Sequence, residues 1–331
     1  MTPAGEAPSP RSHALRLFIR IAVAIGLTGF LLWKSHPRAV VAAAAGTTWG
    51  PIAVAVALVG ADRVLMAYRW VVLLCILERD ARPRLAAIMR IFFVSTFVGT
   101  FLPASVGGDA VRAYRLAKLN VNGGDAVASV FMDRMLGVAS VLVMALVGLA
   151  LARDLAGNVA ILLSLAVAAT ICVVTVLLIF SRAVSGLAAL VVNRLPAPSV
   201  RSALGRLLES IRRYADYRPQ LVNVLAGSIA VQVLRIVQAY YLGRGLGIDA
   251  PLSVYVAFIP LILLVILLPV TFNGIGTGQA AFVWFFGHAG VPAPAAFTLS
   301  VLFIALGVIG NLPGGFLYVV SRGERPRIAR S

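Results

Sequence analysis

Residues 156–180 run for 25 positions without one charged side chain. A helix needs roughly 20 such residues to cross the hydrocarbon of a bilayer. A second run, 127–152, is interrupted only by Asp133 and Arg134. The composition agrees: 60% of residues are apolar, the mean hydropathy is +0.96 and 12% are charged, against about 25% charged in a soluble domain. No polar stretch is long enough to build a core of its own, which excludes enzymes with a separate catalytic module. The expectation is an all-α polytopic membrane helix bundle.

Full spans are expected at about 16–33, 50–77, 126–151, 157–181, 221–243 and 294–320. Two further apolar segments, 88–118 and 252–288, are broken. The first sets Pro103, Gly107, Gly108, Asp109, Arg112 and Arg115 between apolar runs; the second sets Pro269, Asn273, Gly274, Gly276, Gly278 and Gln279. Irregular backbone at membrane depth is tolerated only where protein buries it or where it lines a cavity. Each segment is therefore expected to enter the membrane as a re-entrant hairpin and turn back.

Arg and Lys sort by loop. The segments 1–16, 78–90, 112–118, 182–219 and 321–331 hold 20 of them, whereas 34–48, 152–156, 244–251 and 288–293 hold 4. By the positive-inside rule both termini lie in the cytoplasm, as in a multi-pass protein of a bacterial inner membrane. The first hairpin then enters from the cytoplasm and the second from outside. The order span, span, hairpin, span repeats with opposite orientation, the inverted-topology layout of many secondary transporters. The expected organisation is a disordered N-terminus at 1–14, one membrane domain at 15–320 and a basic tail at 321–331. The repeats would cover about 16–151 and 157–320.

The formal charge of +17 is read as topology and contact with anionic lipid headgroups, not as nucleic-acid binding. Within 182–219, Leu204, Leu207, Leu208 and Ile211 give an i, i+3, i+4, i+7 stripe among arginines. It is expected as an amphipathic helix on the inner leaflet. Cys75 and Cys172 read as small core residues.

A helix starting near Asp109 would aim unpaired N–H groups and a positive dipole end into the protein, which suits a phosphate. The second hairpin repeats this with a helix starting near Gln279, so two opposed N-termini would cradle an anion. Arg112 would hold a lipid phosphate as a fork while Asp109 caps the helix or meets an ammonium; an ion pair is the structural alternative, with Arg115 snorkelling to the interface. Asp133 and Arg134 lie inside a span, where ionisable groups face the bundle interior. They point about 100° apart, so each is expected to serve a different partner, Asp133 pairing with Arg112 or Arg235. Asp62, Arg63 and Arg69 on the second span, and Gln232, Arg235 and Gln238 on another, raise the same question. The histidines (His13, His36, His288) are scattered and no metal or P-loop spacing occurs. No metal, no cofactor and no catalytic residue is expected.

Residues 101–112 (Phe-Leu-Pro-x-x-x-Gly-Gly-Asp-Ala-x-Arg), 133–137 (Asp-Arg-x-x-Gly) and the Pro…Gly-x-Gly of 269–276 resemble the flippase-like membrane family that includes the transmembrane half of lysylphosphatidylglycerol synthases. That resemblance implies translocation of a lipid headgroup. The soluble aminoacyl-transferase that some relatives carry has no counterpart in this sequence. The family usually places a glutamate after the second glycine cluster, where Gln279 stands here. The Asn-Gly-Ile-Gly-Thr-Gly-Gln string is also similar to members associated with hopanoid gene clusters. The expected activity is a flippase for an anionic, aminoacylated, polyprenyl or hopanoid lipid, working by alternating access. The alternatives are an integral-membrane transferase and a non-catalytic scaffold for lipid-biosynthesis enzymes.

Overall fold

The computed structural model describes residues 46–77, 84–101, 106–119, 121–152, 159–194, 198–267 and 276–322; the expected first span at 16–33 lies outside them. In chain order come α1 (Trp49–Leu77), α2 (Leu85–Phe101), α3 (Val106–Ala117), α4 (Gly123–Leu151), α5 (Val159–Phe180) and α6 (Arg182–Asn193). They are followed by α7 (Pro198–Arg213), a single 3-10 turn (Tyr214–Asp216), α8 (Arg218–Gly245), α9 (Leu252–Ile266), α10 (Thr277–His288), α11 (Ala293–Ile309) and α12 (Leu312–Arg322). Among the described residues all regular structure is helical. The protein is a polytopic helix bundle.

Four helices are long and apolar enough to cross a membrane: Trp49–Leu77, Gly123–Leu151, Arg218–Gly245 and Ala293–Val319. The last carries a break where α11 gives way to α12 at Gly310 and Asn311. Pro313 follows at once and has no N–H to continue the ladder. The expected span at 294–320 is thus interrupted. The expected span at 157–181 is α5, and it ends in a sharp bend. The chain there bends by 94° between Leu165–Phe180 and Arg182–Asn193, and Ser181 caps the new helix by accepting from the Val184 N–H at 3.4 Å.

The two broken segments each form a helical hairpin. In α2–α3, Ser95 meets both Gly108 and Arg112, and Gly99 meets Gly108, so the arms run antiparallel. A Cβ on Gly108 would stand 2.8 Å from the Ser95 carbonyl oxygen and 3.0 Å from Gly99 Cα; only glycine lets these backbones touch. In α9–α10, Tyr255 packs on Phe286 (5.1 Å between centroids) and Phe258 on Phe285 (5.6 Å), again antiparallel. The 17 residues of α2 and 15 of α9 extend only about 25 and 23 Å at 1.5 Å per residue. Neither reaches across a hydrocarbon core of about 30 Å.

The helices that precede the hairpins, α1 and α8, lie side by side and antiparallel. Thr48 N–H donates to the Gly245 carbonyl (2.8 Å) at one end, and Arg69 packs on Gly227 towards the other. Each hairpin leans on the helix that ends the other half of the chain. Gly314 of α12 packs against the Phe93 carbonyl of α2, and Gly148 of α4 against the Ala257 carbonyl of α9. Without a hydrophobic drive between helices in lipid, such close approach through small residues is a principal source of attraction.

The basic segment 182–219 forms two helices and the 3-10 turn. The stripe Leu204, Leu207, Leu208, Ile211 does exist as one face of α7, and part of it turns inward. Ile211 is buried in a cluster with Ala128 and Met132 of α4, and Leu207 packs against that cluster. The bundle therefore takes the Leu207 and Ile211 part of this face. Arg213 ties α7 down, donating to Asp125 (3.0 Å) and to the Leu77 carbonyl (2.8 Å). Burial, with Asp125 adding to it, pushes the Tyr214 hydroxyl well up, so it stays protonated and donates to the Leu73 carbonyl (3.1 Å).

Candidate functional site

The charged residues inside the spans converge on one seam along α1. Asp62 and Arg69 are seven residues apart, two turns along one face. Asp133 of α4 accepts from Arg69 Nη2 (2.9 Å) and from Arg112 Nη1 of α3 (3.3 Å), joining three helices through one carboxylate. Arg69 Nη2 also donates to the Asp133 backbone carbonyl at 3.2 Å. The sequence left Asp133 a choice between Arg112 and Arg235; the partner is Arg112, together with Arg69. Arg235 of α8 goes instead to Asp62, with Nε 3.5 Å from Oδ1. Asp62 also pairs with Arg63 Nη1 (3.0 Å), whose Nη2 donates to the Gly307 carbonyl of α11 at 3.0 Å.

Asp133 and Arg134 do serve different partners. Arg134 forms a bidentate fork on Asp109, with Nε–Oδ2 at 2.6 Å and Nη2–Oδ1 at 3.0 Å. The two pairs differ in access. The Arg134 side chain is 48% exposed, whereas Arg112 is 4% exposed. The Arg112 guanidinium is also stacked near Trp70 (5.1 Å to the centroid) and Phe92 (4.7 Å). Its charge is held by Asp133 and its faces by aromatic rings.

The remaining expected site residues fall as follows. Gly107 and Gly108 lie in the first turn of α3, which begins at Val106, three residues before Asp109. Asp109 is therefore inside the helix and engaged with Arg134, not the cap. Arg115 reaches the Tyr318 ring of α12 (5.8 Å). Gln279 is buried, and its side-chain oxygen accepts from the Gly276 N–H, closing the start of α10 at Thr277. Pro103, Asn273 and Gly274 lie outside the described residues, as does Pro269. Of the glutamine face on α8, Gln232 donates to Ser140 Oγ (3.0 Å), and Gln238 is buried with its amide nitrogen unpartnered among the described residues.

Sequence reasoning missed the aromatic clamp on Arg112, the contact of Arg63 with α11 and the bond from Asn311 to Thr100 (2.8 Å) that pins α12 to the first hairpin. No local pattern marks these, since each joins elements far apart in the chain. Among the described residues no three His, Cys, Asp or Glu side chains gather as a metal would require.

The family model described as the lysylphosphatidylglycerol synthase TM region matches residues 17–314. The chain belongs to that family. The match covers nearly the whole membrane domain and includes all the motifs that carried the resemblance. Comparison with curated proteins and with solved structures found no match. Membership makes the chain a multi-pass membrane protein of lipid metabolism or transport.

Proposed function

We propose that the chain is a translocator for a phosphate-bearing lipid headgroup in a bacterial inner membrane, with both termini cytoplasmic. One observation carries the reading. The seam holds Arg63, Arg69, Arg112, Arg134 and Arg235 against Asp62, Asp109 and Asp133. Among the described residues five cations face three anions inside a membrane bundle, where an uncompensated charge is costly. An anionic headgroup entering the seam neutralises that surplus. Buried guanidinium nitrogens without hydrogen-bond partners among the described residues, Arg63 Nε and Arg69 Nε, leave N–H groups from which it can accept.

Access decides the roles. Arg134 and Asp109, with Arg235 (side chain 26% exposed), receive the headgroup: the guanidinium takes the phosphate and the carboxylate is released to an ammonium where the lipid carries one. Arg112 and Asp133 position them from behind. The antiparallel α1–α8 pair and the reciprocal hairpin contacts support an inverted repeat with two re-entrant hairpins. In that layout the hairpins rock in turn against the fixed helices and expose the seam to each side. The similarity of 273–279 to hopanoid-associated members makes a hopanoid or polyprenyl phosphate a substrate to compare with phosphatidylglycerol. The same affinity for lipid would let the chain serve beside lipid-biosynthesis enzymes.

The test is a scrambling assay in proteoliposomes with fluorescent phosphatidylglycerol, aminoacyl-phosphatidylglycerol, polyprenyl phosphate and phosphatidylcholine. Protein-dependent movement of a phosphate-rich or aminoacylated lipid, slowed by Arg134→Gln and by Asp109→Asn, is the expected result. Folded protein that moves none of them would sink the proposal.

A further inference from the structure

Away from the seam, α5, α6 and α7 enclose a cleft of about 680 Å³ lined by Arg182, Arg212, Arg213 and Arg218, with Glu209 and Asp216 as the acidic members. We infer that this cleft is an interfacial binding site for the headgroup of an anionic phospholipid, distinct from the translocation seam. The inference does not require the seam to move lipid.

Orientation is the first argument. Leu165 and Ala168 of α5 share a core cluster with Val141 and Ala145 of α4, while Ile179 shares another with Ala128 and Met132. Thus α5 runs antiparallel beside a spanning helix. The 94° bend at Ser181 then lays α6 across that direction, in the plane of the membrane. On one side α6 presents Leu187, Leu190 and Val191, exposed by 61%, 58% and 66%. On the other, Ser185, Ala189 and Asn193 line the cleft. A helix in this attitude puts its apolar side among acyl chains and its polar side at headgroup level.

Charge is the second. Arg213 is already committed to Asp125, and Arg218 sits over the Phe180 ring at 5.4 Å. Arg182 occupies the first turn of α6, where the helix dipole is positive and a cation is unfavourable. An anion between Arg182 and Arg212 removes that conflict and takes charge-assisted bonds from both guanidinium groups. Glycerol-phosphate linked to two acyl chains matches the whole arrangement, with phosphate in the cleft and chains beside Leu187 and Leu190. A free anion would satisfy only the arginines.

The experiment is native mass spectrometry of the full chain in detergent, titrated with phosphatidylglycerol or phosphatidylcholine. Wild type should retain phosphatidylglycerol preferentially, and R182Q/R212Q should bind it about tenfold more weakly, on the scale expected for basic groups at a membrane surface. Both side chains are exposed, so the fold is retained, which circular dichroism checks. Leu190→Asn should also weaken retention, as it removes the acyl contact without touching a charge. Arg244→Gln, at the far end of α8 and paired with exposed Asp249, should change nothing. Equal retention by R182Q/R212Q, equal retention of phosphatidylcholine, or a loss in R244Q as large as in the cleft variant would each overturn the site. Displacement of the lipid by soluble glycerol phosphate at matching concentration would overturn the membrane source of the ligand.

Discussion

The two hairpins have the same plan and opposite chemistry. Each is a pair of short antiparallel helices, and each leans by its first arm on a glycine in the last helix of the other half. Yet α2–α3 carries Asp109, Arg112 and Arg115 into ion pairs and cation–π contacts, while α9–α10 carries no charged side chain in either arm except the terminal His288. Its interior is aromatic: the rings of Tyr255, Phe258 and Phe282 each lie within 6 Å of Phe286, and that of Phe258 also within 6 Å of Phe285. The first hairpin is built to present charge, the second to be an apolar wall. Two hairpins of one plan can therefore divide their labour, with the glycine backbone contacts in both and the charged chemistry in one.

The sharpest way to break this comparison is Asp133→Ala. It leaves Arg69 and Arg112 buried without their counter-charge, and removing one partner of a buried pair costs about 3–5 kcal/mol. Thermal unfolding in detergent should show a large loss, because the carboxylate that anchors Arg112 of the first hairpin is gone. A smaller loss would mean that water or lipid already solvates the pair, and the first hairpin would not be the electrostatic one.

The reciprocity of the scaffold is tested next. Gly148→Val and Gly314→Val each drive a side chain onto a backbone carbonyl of the opposite hairpin's first arm. Overpacking of that kind costs roughly 1–3 kcal/mol. The two variants should lose similar stability by the same unfolding measurement. A loss confined to Gly314→Val would make the second hairpin's contact incidental and weaken the repeat.

How far the sequence could reveal this division depends on which force is in play. Hydropathy placed α1 at 50–77 and α4 at 126–151, within a few residues of Trp49–Leu77 and Gly123–Leu151, because lipid imposes both length and apolarity. It could not show the break at Gly310, since glycine inside an apolar run leaves the mean hydropathy high. The stripe on α7 was visible, but its periodicity is identical whether lipid or α4 receives it. Charge in the spans marked Asp133 and Arg112 as a site; the pairing itself depends on which helices touch. For that reason the aromatic clamp of Trp70 and Phe92 on Arg112, drawn from two other helices, was not legible at all.

A gentler probe is Gln279→Ala. It deletes the bond that Gln279 makes to the Gly276 N–H at the start of the wall hairpin. Loss of one cap interaction costs about 1 kcal/mol, and the aromatic cluster remains. Stability should fall by that amount while lipid movement is nearly unchanged, because the second hairpin supplies shape more than chemistry. Scrambling that collapses in this variant would give Gln279 a direct part in binding and erase the asymmetry.

Arg134→Gln reverses the pattern and isolates the working side. The Arg134 side of its pair with Asp109 is half exposed, and exposed pairs contribute about 0–1 kcal/mol, so unfolding should move least of all. Its fork, however, is the accessible one, and replacing a guanidinium with an amide removes both the charge and the bidentate geometry on a phosphate. Scrambling of an anionic lipid should therefore slow about tenfold, with phosphatidylcholine unaffected. Arg134→Lys should restore only part of the rate, since an ammonium keeps the charge but not the fork. The two numbers read together separate the hairpins: Asp133→Ala lowers both stability and movement, Gln279→Ala touches stability alone, and Arg134→Gln touches movement alone. If Arg134→Gln leaves the rate intact, the headgroup does not meet the Asp109–Arg134 fork, and the deeper Asp62–Arg235 end of the seam becomes its place.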